Sequence, residues 1–204
     1  MRTNYLYDYV SSMERILSSA YKLKYSLDAV EKYISNSAYF KNVEKDKYYF
    51  TPVMNDDFLV ESLFGYIHVD LSQVPVYSQT SWASEAYIRI QENTHLTFEA
   101  IFLYIPIKEM YDLYPLYHEM DFLHLIDLFK KRFKEKSVLE LLLNKYKISL
   151  SVLSKQLNIS YSTLFSLKKR RRDIQTANLN IVVKLANQFK VRIETIGEIV
   201  IEDN

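Results

Sequence analysis

Leu153-Ser154-Lys155-Gln156-Leu157-Asn158-Ile159-Ser160-Tyr161-Ser162-Thr163-Leu164-Phe165-Ser166-Leu167-Lys168-Lys169 decides the reading of this chain. Leu153 and Leu157 fall on one face of a first helix, Leu164 and Leu167 on one face of a second. Between them lie only Asn158, Ile159 and Ser160. Asn158 tolerates the left-handed backbone of a tight turn, Ile159 plugs the corner, and Ser160 is placed to cap the second helix. Two short helices crossing steeply need apolar residues on both facing sides and a short connection, and this stretch supplies both.

Working outward, residues 137 to 204 predict helix throughout until the tail. Val138 to Tyr146 is apolar at close spacing, and Ser149 caps the helix that ends at Leu157. A basic loop, Arg170-Arg171-Arg172, follows the second helix of the pair. Asn178 caps a helix whose inner face is Ile181, Val182, Leu185, Ala186 and Phe189. A last short helix, Arg192 to Ile196, ends at Gly197, and Glu198-Ile199-Val200-Ile201-Glu202 predicts an edge strand.

The segment resembles the helix-turn-helix of the lambda-repressor-like family, the Cro and XRE type. The likeness continues through Ile181-Val182-Val183-Lys184-Leu185-Ala186-Asn187-Gln188-Phe189-Lys190-Val191-Arg192-Ile193-Glu194-Thr195-Ile196, similar to that family's fourth and closing helices, and it covers about 65 of the 204 residues. There are departures. Ser154 stands where the family usually has alanine, Asn158 where it has glycine at the turn, Lys168 where glutamate is common, Arg170 where glycine is frequent, and Leu150 where a polar phosphate contact often starts the helix.

In the family's geometry the second helix enters the major groove with its N-terminal residues toward base edges. The resemblance therefore implies Tyr161, Ser162 and Ser166 as base-contacting residues. Phe165 is a thymine-methyl contact or simply core. Ser160, Thr163, Lys168, Lys169, Arg170, Arg171 and Arg172 are implied as phosphate contacts, which position the protein without specifying sequence.

Residues 1 to 136 carry no such motif. Apolar residues from Leu6 to Ile34 recur at steps of three and four, so an amphipathic helix, or two broken near Ser26, is expected there. Residues 41 to 47 read as a loop. Tyr48 to Thr51 and Tyr66 to Leu71 read as strands, with a short helix from Asp56 to Gly65 between them. Ser81 is expected to cap a helix from Trp82 to about Gln91. Thr97 to Ile105 is the best strand in the chain, rich in Thr, Phe, Ile and Tyr and closed by Pro106. Helices follow over Ile107 to Tyr114 and Leu116 to Lys134. The expected fold is α+β: a mixed N-terminal domain, 1–136, with a small sheet and helices, then an all-α five-helix helix-turn-helix domain, 137–204. No flexible linker separates them near residue 136.

Charge divides along the same line. The formal net charge of +1 combines 15 basic and 19 acidic residues in 1–136 with 11 basic and 6 acidic in 137–204. Between 144 and 193 the sole acid is Asp173, which suits a polyanion-binding module. Composition excludes several alternatives. With no cysteine, disulfides, thiolate metal sites and cysteine nucleophiles are absent. With two glycines, Gly65 and Gly197, no glycine-rich phosphate loop exists. The 18 tyrosines, 16 of them before residue 137, read as AT-rich coding rather than a functional surface. The apolar run Ala100 to Ile107 falls far short of the roughly 20 residues that span a bilayer, and no apolar signal core opens the chain, so a soluble cytoplasmic protein is expected.

Nothing else forms a catalytic constellation. His68, His95, His118 and His124 lack metal-ligand spacing, and Trp82 reads as a core anchor. The expectation is a non-enzymatic, cofactor-free and metal-free repressor that binds double-stranded DNA as a homodimer. The Leu6–Ile34 helix or the Ile199–Ile201 tail is the expected interface, and the N-terminal domain senses, dimerises or binds a protein partner. A lysogeny repressor, a self-repressing antitoxin and a phage inhibitor of host defence all fit. The alternatives are a nucleic-acid-acting enzyme or toxin targeted by the helix-turn-helix, and a protein-interaction inhibitor.

Overall fold

A computed structural model describes residues 2–45 and 77–198. Among these described residues every regular element is helical. The expected α+β class is thereby corrected to all-α. The strands expected at 48–51 and 66–71 and the helix at 56–65 lie outside the described residues, as does all of the expected tail strand beyond Glu198.

The periodic N-terminal stretch forms α1 (Arg2–Lys22) and α2 (Leu27–Asn36). They break at Lys24, which takes a positive φ of 53°. Ser26 precedes α2 in extended backbone, but its side chain makes no capping bond. The expected loop over 41–47 is helical for its first four residues, because α3 (Ala38–Glu44) buries Phe40 and Val43. α4 (Tyr77–Thr94) begins four residues before the expected cap, Ser81, which is an interior residue. α4 packs along α1 and also against α5, α6 and α7, which places it at the centre of the N-terminal layer.

The largest correction is Thr97 to Ile105. It forms helix α5 (Phe98–Tyr104), with the Thr97 hydroxyl accepting from Ala100 N at 3.1 Å. Phe98, Ala100, Ile101, Phe102 and Tyr104 are all buried. A helix covered on nearly every side has no polar face, so its apolar run imitates a buried strand. α5 touches α2, α4, α7, α8 and α12, and it is the hub on which both halves of the chain pack. α6 (Ile107–Tyr117) and α7 (Phe122–Glu135) complete the first half. Trp82 is buried against Tyr114 and Phe122.

The second half follows local signals closely. Ser137 caps α8 (Val138–Lys145), Ser149 caps α9 (Leu150–Leu157), Ser160 caps α10 (Tyr161–Lys168) and Asn178 caps α11 (Leu179–Phe189), each by accepting a backbone N–H. α12 (Ile193–Gly197) ends with Glu198 in left-handed backbone, φ 49°. That conformation ends the helix at the first position of the expected edge strand. Only Lys136 and Ser137 separate α7 from α8, and a single hydrophobic core runs from Tyr9 to Ile196.

Candidate nucleic-acid interface

The turn between α9 and α10 is made by Asn158, at φ 51° and ψ 51°. Such backbone costs an ordinary L-residue about 1–2 kcal/mol, and asparagine bears it best after glycine. Ile159 is buried beneath the turn, and the Ser154 hydroxyl donates to its carbonyl at 2.6 Å. A small residue at 154 thus both admits the close approach and ties the corner. Leu153, Leu164 and Leu167 are buried, which sets the rotation of α10.

With Leu164 and Leu167 inward, Ser162 and Ser166 point outward, four residues apart on one face. Ser162 is exposed, Ser166 is half-buried, and Tyr161 is 53% exposed. Phe165 lies beside Tyr161, their rings offset-stacked with centroids 6.1 Å apart and planes inclined by 18°. Ser160 accepts from Thr163 N at 3.1 Å and shares a 2.7 Å bond with the Thr163 hydroxyl. Both therefore serve the helix start, and Ser160 remains exposed.

The basic cluster divides into two kinds. Lys169, Arg171 and Arg172 are exposed and Lys168 is half-buried. The Arg171 guanidinium sits 5.3 Å above the Phe165 ring, a separation that suits a cation–π contact.

Arg170 is different. Its backbone is left-handed, φ 51°, at the position where the resembled family frequently has glycine. Its side chain turns inward. Nη1 pairs with Glu198 Oε2 at 2.6 Å, and Nη2 donates to Lys136 O at 3.0 Å and to Tyr104 Oη at 3.1 Å. The guanidinium also lies 4.6 Å over the Phe133 ring. These bonds offset the backbone cost that a glycine would avoid. Arg170 joins the end of α10 to α5, α7 and the segment after α12, and its guanidinium is not free to meet a phosphate.

Glu198 completes this joint. Its Oε1 accepts from Val138 N at 2.8 Å. Burial pushes its carboxyl above the ordinary range, opposed by Val138 N–H and by Arg170. Burial, and next the charge of Glu198, raise the Tyr104 phenol well above its usual value. A second joint links α12 to the N-terminal layer. Glu44 accepts two bonds from Arg192, both at 2.8 Å, and one from Phe98 N at 2.7 Å. Glu99 Oε2 accepts from Arg192 N and from the Thr195 hydroxyl. Burial works against the Arg192 charge, and the hydrogen bonds and charge of Glu44 outweigh it. Neither joint was visible in the sequence, whose one hint was an arginine at a glycine position.

Among the described residues no group of three His, Cys, Asp or Glu side chains is placed to hold a metal ion, and no helix is long and apolar enough to cross a membrane. His68 lies outside the described residues. No family model, curated protein or solved structure matches the chain.

Proposed function

We propose that the chain is a sequence-specific transcriptional regulator, a repressor of the lambda-repressor-like helix-turn-helix class, binding double-stranded DNA through α10. One observation carries this reading. The outward face of a short helix, set by a left-handed asparagine turn, presents Tyr161, Ser162 and Ser166 beside exposed Lys169, Arg171 and Arg172. Base edges fall to the first three residues. Phosphates fall to Ser160, Thr163, Lys168, Lys169, Arg171 and Arg172, with Arg170 positioning the loop from inside.

A domain of this size reads few base pairs, so two copies on half-sites about one helical turn apart form the working unit. Met13, Ile16, Leu17 and Ala20 of α1 are fully buried within the chain, so that helix does not offer its apolar face to a second copy. The N-terminal layer supplies the contact to a protein partner, as in a self-repressing antitoxin or a phage-encoded inhibitor. The exposed Leu116, Met120 and Leu123 around the α6–α7 corner favour that role. The reading includes no catalysis and no cofactor.

A mobility-shift titration on DNA flanking the chain's own gene tests the proposal. A shift that survives excess unrelated duplex is expected. Binding that any duplex competes away, vanishing as salt rises, overturns sequence-specific regulation.

A further inference from the structure

We propose that α10 reads its site chiefly through thymine methyl groups, using the paired rings of Tyr161 and Phe165. This rests on the DNA-binding reading above and names the base chemistry that the same helix recognises.

Base recognition in the major groove follows donor and acceptor chemistry. Guanine is read by Arg or Lys, adenine by Asn or Gln, and cytosine by Glu or Asp. Thymine is read by an apolar group against its methyl. Ahead of its basic end α10 leaves Tyr161 and Ser162 exposed and Thr163, Phe165 and Ser166 half-buried, with Phe165 packed in part against the core and the Thr163 hydroxyl held by Ser160; none of them belongs to the first three kinds. The serines donate or accept with either partner and discriminate weakly. The Ser162 hydroxyl also already shares a 3.1 Å bond with Ser160. The rings are what remains, and they lie one turn apart, side by side on the helix.

Their packing selects methyl contact over base stacking. Stacking a base needs an open ring face. The Phe165 face is engaged by Tyr161 at a 6.1 Å centroid separation and by the Arg171 guanidinium at 5.3 Å. A Phe165 ring flanked in this way has little face left for a base, and its apolar surface beside Tyr161 suits a methyl group projecting from the groove floor. The charge around the rings matches duplex DNA as well: Lys169, Arg171 and Arg172 are exposed nearby, with Asp173 the sole acid between 144 and 193.

The experiment selects bound sequences from a random duplex pool with the full chain, then replaces each thymine of the selected site by deoxyuridine. That exchange removes the methyl group and nothing else. Thymine on one strand at neighbouring positions in each half-site is expected, with binding about four-fold weaker for each contacted methyl removed. Tyr161→Ala, at an exposed position, and Phe165→Leu, which keeps apolar bulk above Leu164 and Leu167, are each expected to bind thymine and deoxyuridine alike at one position. Sequence-specific binding indifferent to every such exchange overturns this inference and leaves regulation by DNA binding standing. Preference for single strands over duplex overturns it in favour of base stacking. No binding to any DNA overturns both readings.

Discussion

Arg192 and Glu44 stand 148 positions apart in the chain and meet end to end, Nη1 donating to Oε2 and Nη2 to Oε1, both at 2.8 Å. The Glu44 side chain is 1% exposed and that of Arg192 is 17% exposed. A bidentate pair so enclosed is geometrically specific, and it fixes α12 against α3 and the start of α5. The C-terminal half is thus not a bead on a string. Its closing helix shares charged partners with the N-terminal layer.

Removing one member of such a pair strands the other. Glu44→Ala is expected to lower unfolding free energy by about 3 kcal/mol or more in urea titrations at pH 7. It leaves the enclosed Arg192 guanidinium with only the looser Glu99 contact at 3.9 Å and also frees Phe98 N. Pairing it with Arg192→Met should recover part of the loss, because the stranded guanidinium is removed and the remaining carboxylate, Glu99, keeps its bonds from residue 192 N and the Thr195 hydroxyl. Losses that simply add would show that the two side chains do not interact energetically.

Glu31 gives a pH signature. Its carboxyl is buried in α2, with Oε1 accepting from Ile107 N at 2.9 Å and Oε2 3.9 Å from Lys145 Nζ. Burial raises its pKa above the ordinary 4.5, against the opposing pull of Ile107 N–H and Lys145 and with a small push from Asp28. Between the ordinary and the raised value the native state binds more protons than the unfolded one. Glu31 therefore makes stability fall as pH rises through that window, and acidification from neutrality relieves the cost. Glu31→Gln keeps an acceptor for Ile107 N–H and removes the charge. Relative to the parent chain, the variant should gain stability as pH rises above the ordinary carboxylate value of 4.5. A difference that does not change with pH would count against this account.

Local signals were legible and distant ones were not. Ser149, Ser160 and Asn178 announce helix starts because each cap bond closes within three residues. The left-handed turn at Asn158 is legible for the same reason. The face carrying Tyr161 and Ser162 follows from the spacing of Leu164 and Leu167. α5 was illegible because it is buried on nearly every side, and Glu99, its one charged residue, is too little to mark a helical period. α3 was illegible in part because Glu44, polar in sequence, finds its partner in Arg192. Arg170 looked like its two neighbours, since the residues that hold it, Glu198, Tyr104 and Lys136, are far away in sequence.

Ser162 and Ser166 test the reading face itself. Neither is buried, and the Ser162 hydroxyl shares a 3.1 Å bond with the Ser160 hydroxyl. Alanine at either position should leave the thermal midpoint nearly unchanged. It should weaken specific binding by about 1 kcal/mol at one base position in each half-site, near the low end for a lost base contact. Binding to unrelated DNA should stay as it was, since no charge is removed. A large drop in midpoint with unchanged site preference would move the reading face toward Thr163 and Lys168.

The three consecutive arginines separate into one held within the fold and two exposed, which the proposed function assigns to DNA. Arg170→Ala removes the partner of a buried carboxylate, so Glu198 loses its 2.6 Å ion pair while still enclosed. A drop in stability of about 3 kcal/mol is expected, with the salt slope of DNA binding unchanged under conditions where the variant stays folded. Arg171→Ala and Arg172→Ala act on exposed side chains. Each should leave urea unfolding nearly unchanged and reduce the magnitude of the salt slope by about one. Arg171→Ala has a second consequence, because its guanidinium lies over Phe165: site preference beside that ring should relax as well. Equal slope changes from all three variants, with equal stability, would mean that Arg170 leaves Glu198 for phosphate when DNA is bound. The joint to α5 would then open on binding, and hydrogen exchange at Val138 N, which donates to the same carboxylate at 2.8 Å, would quicken in the complex.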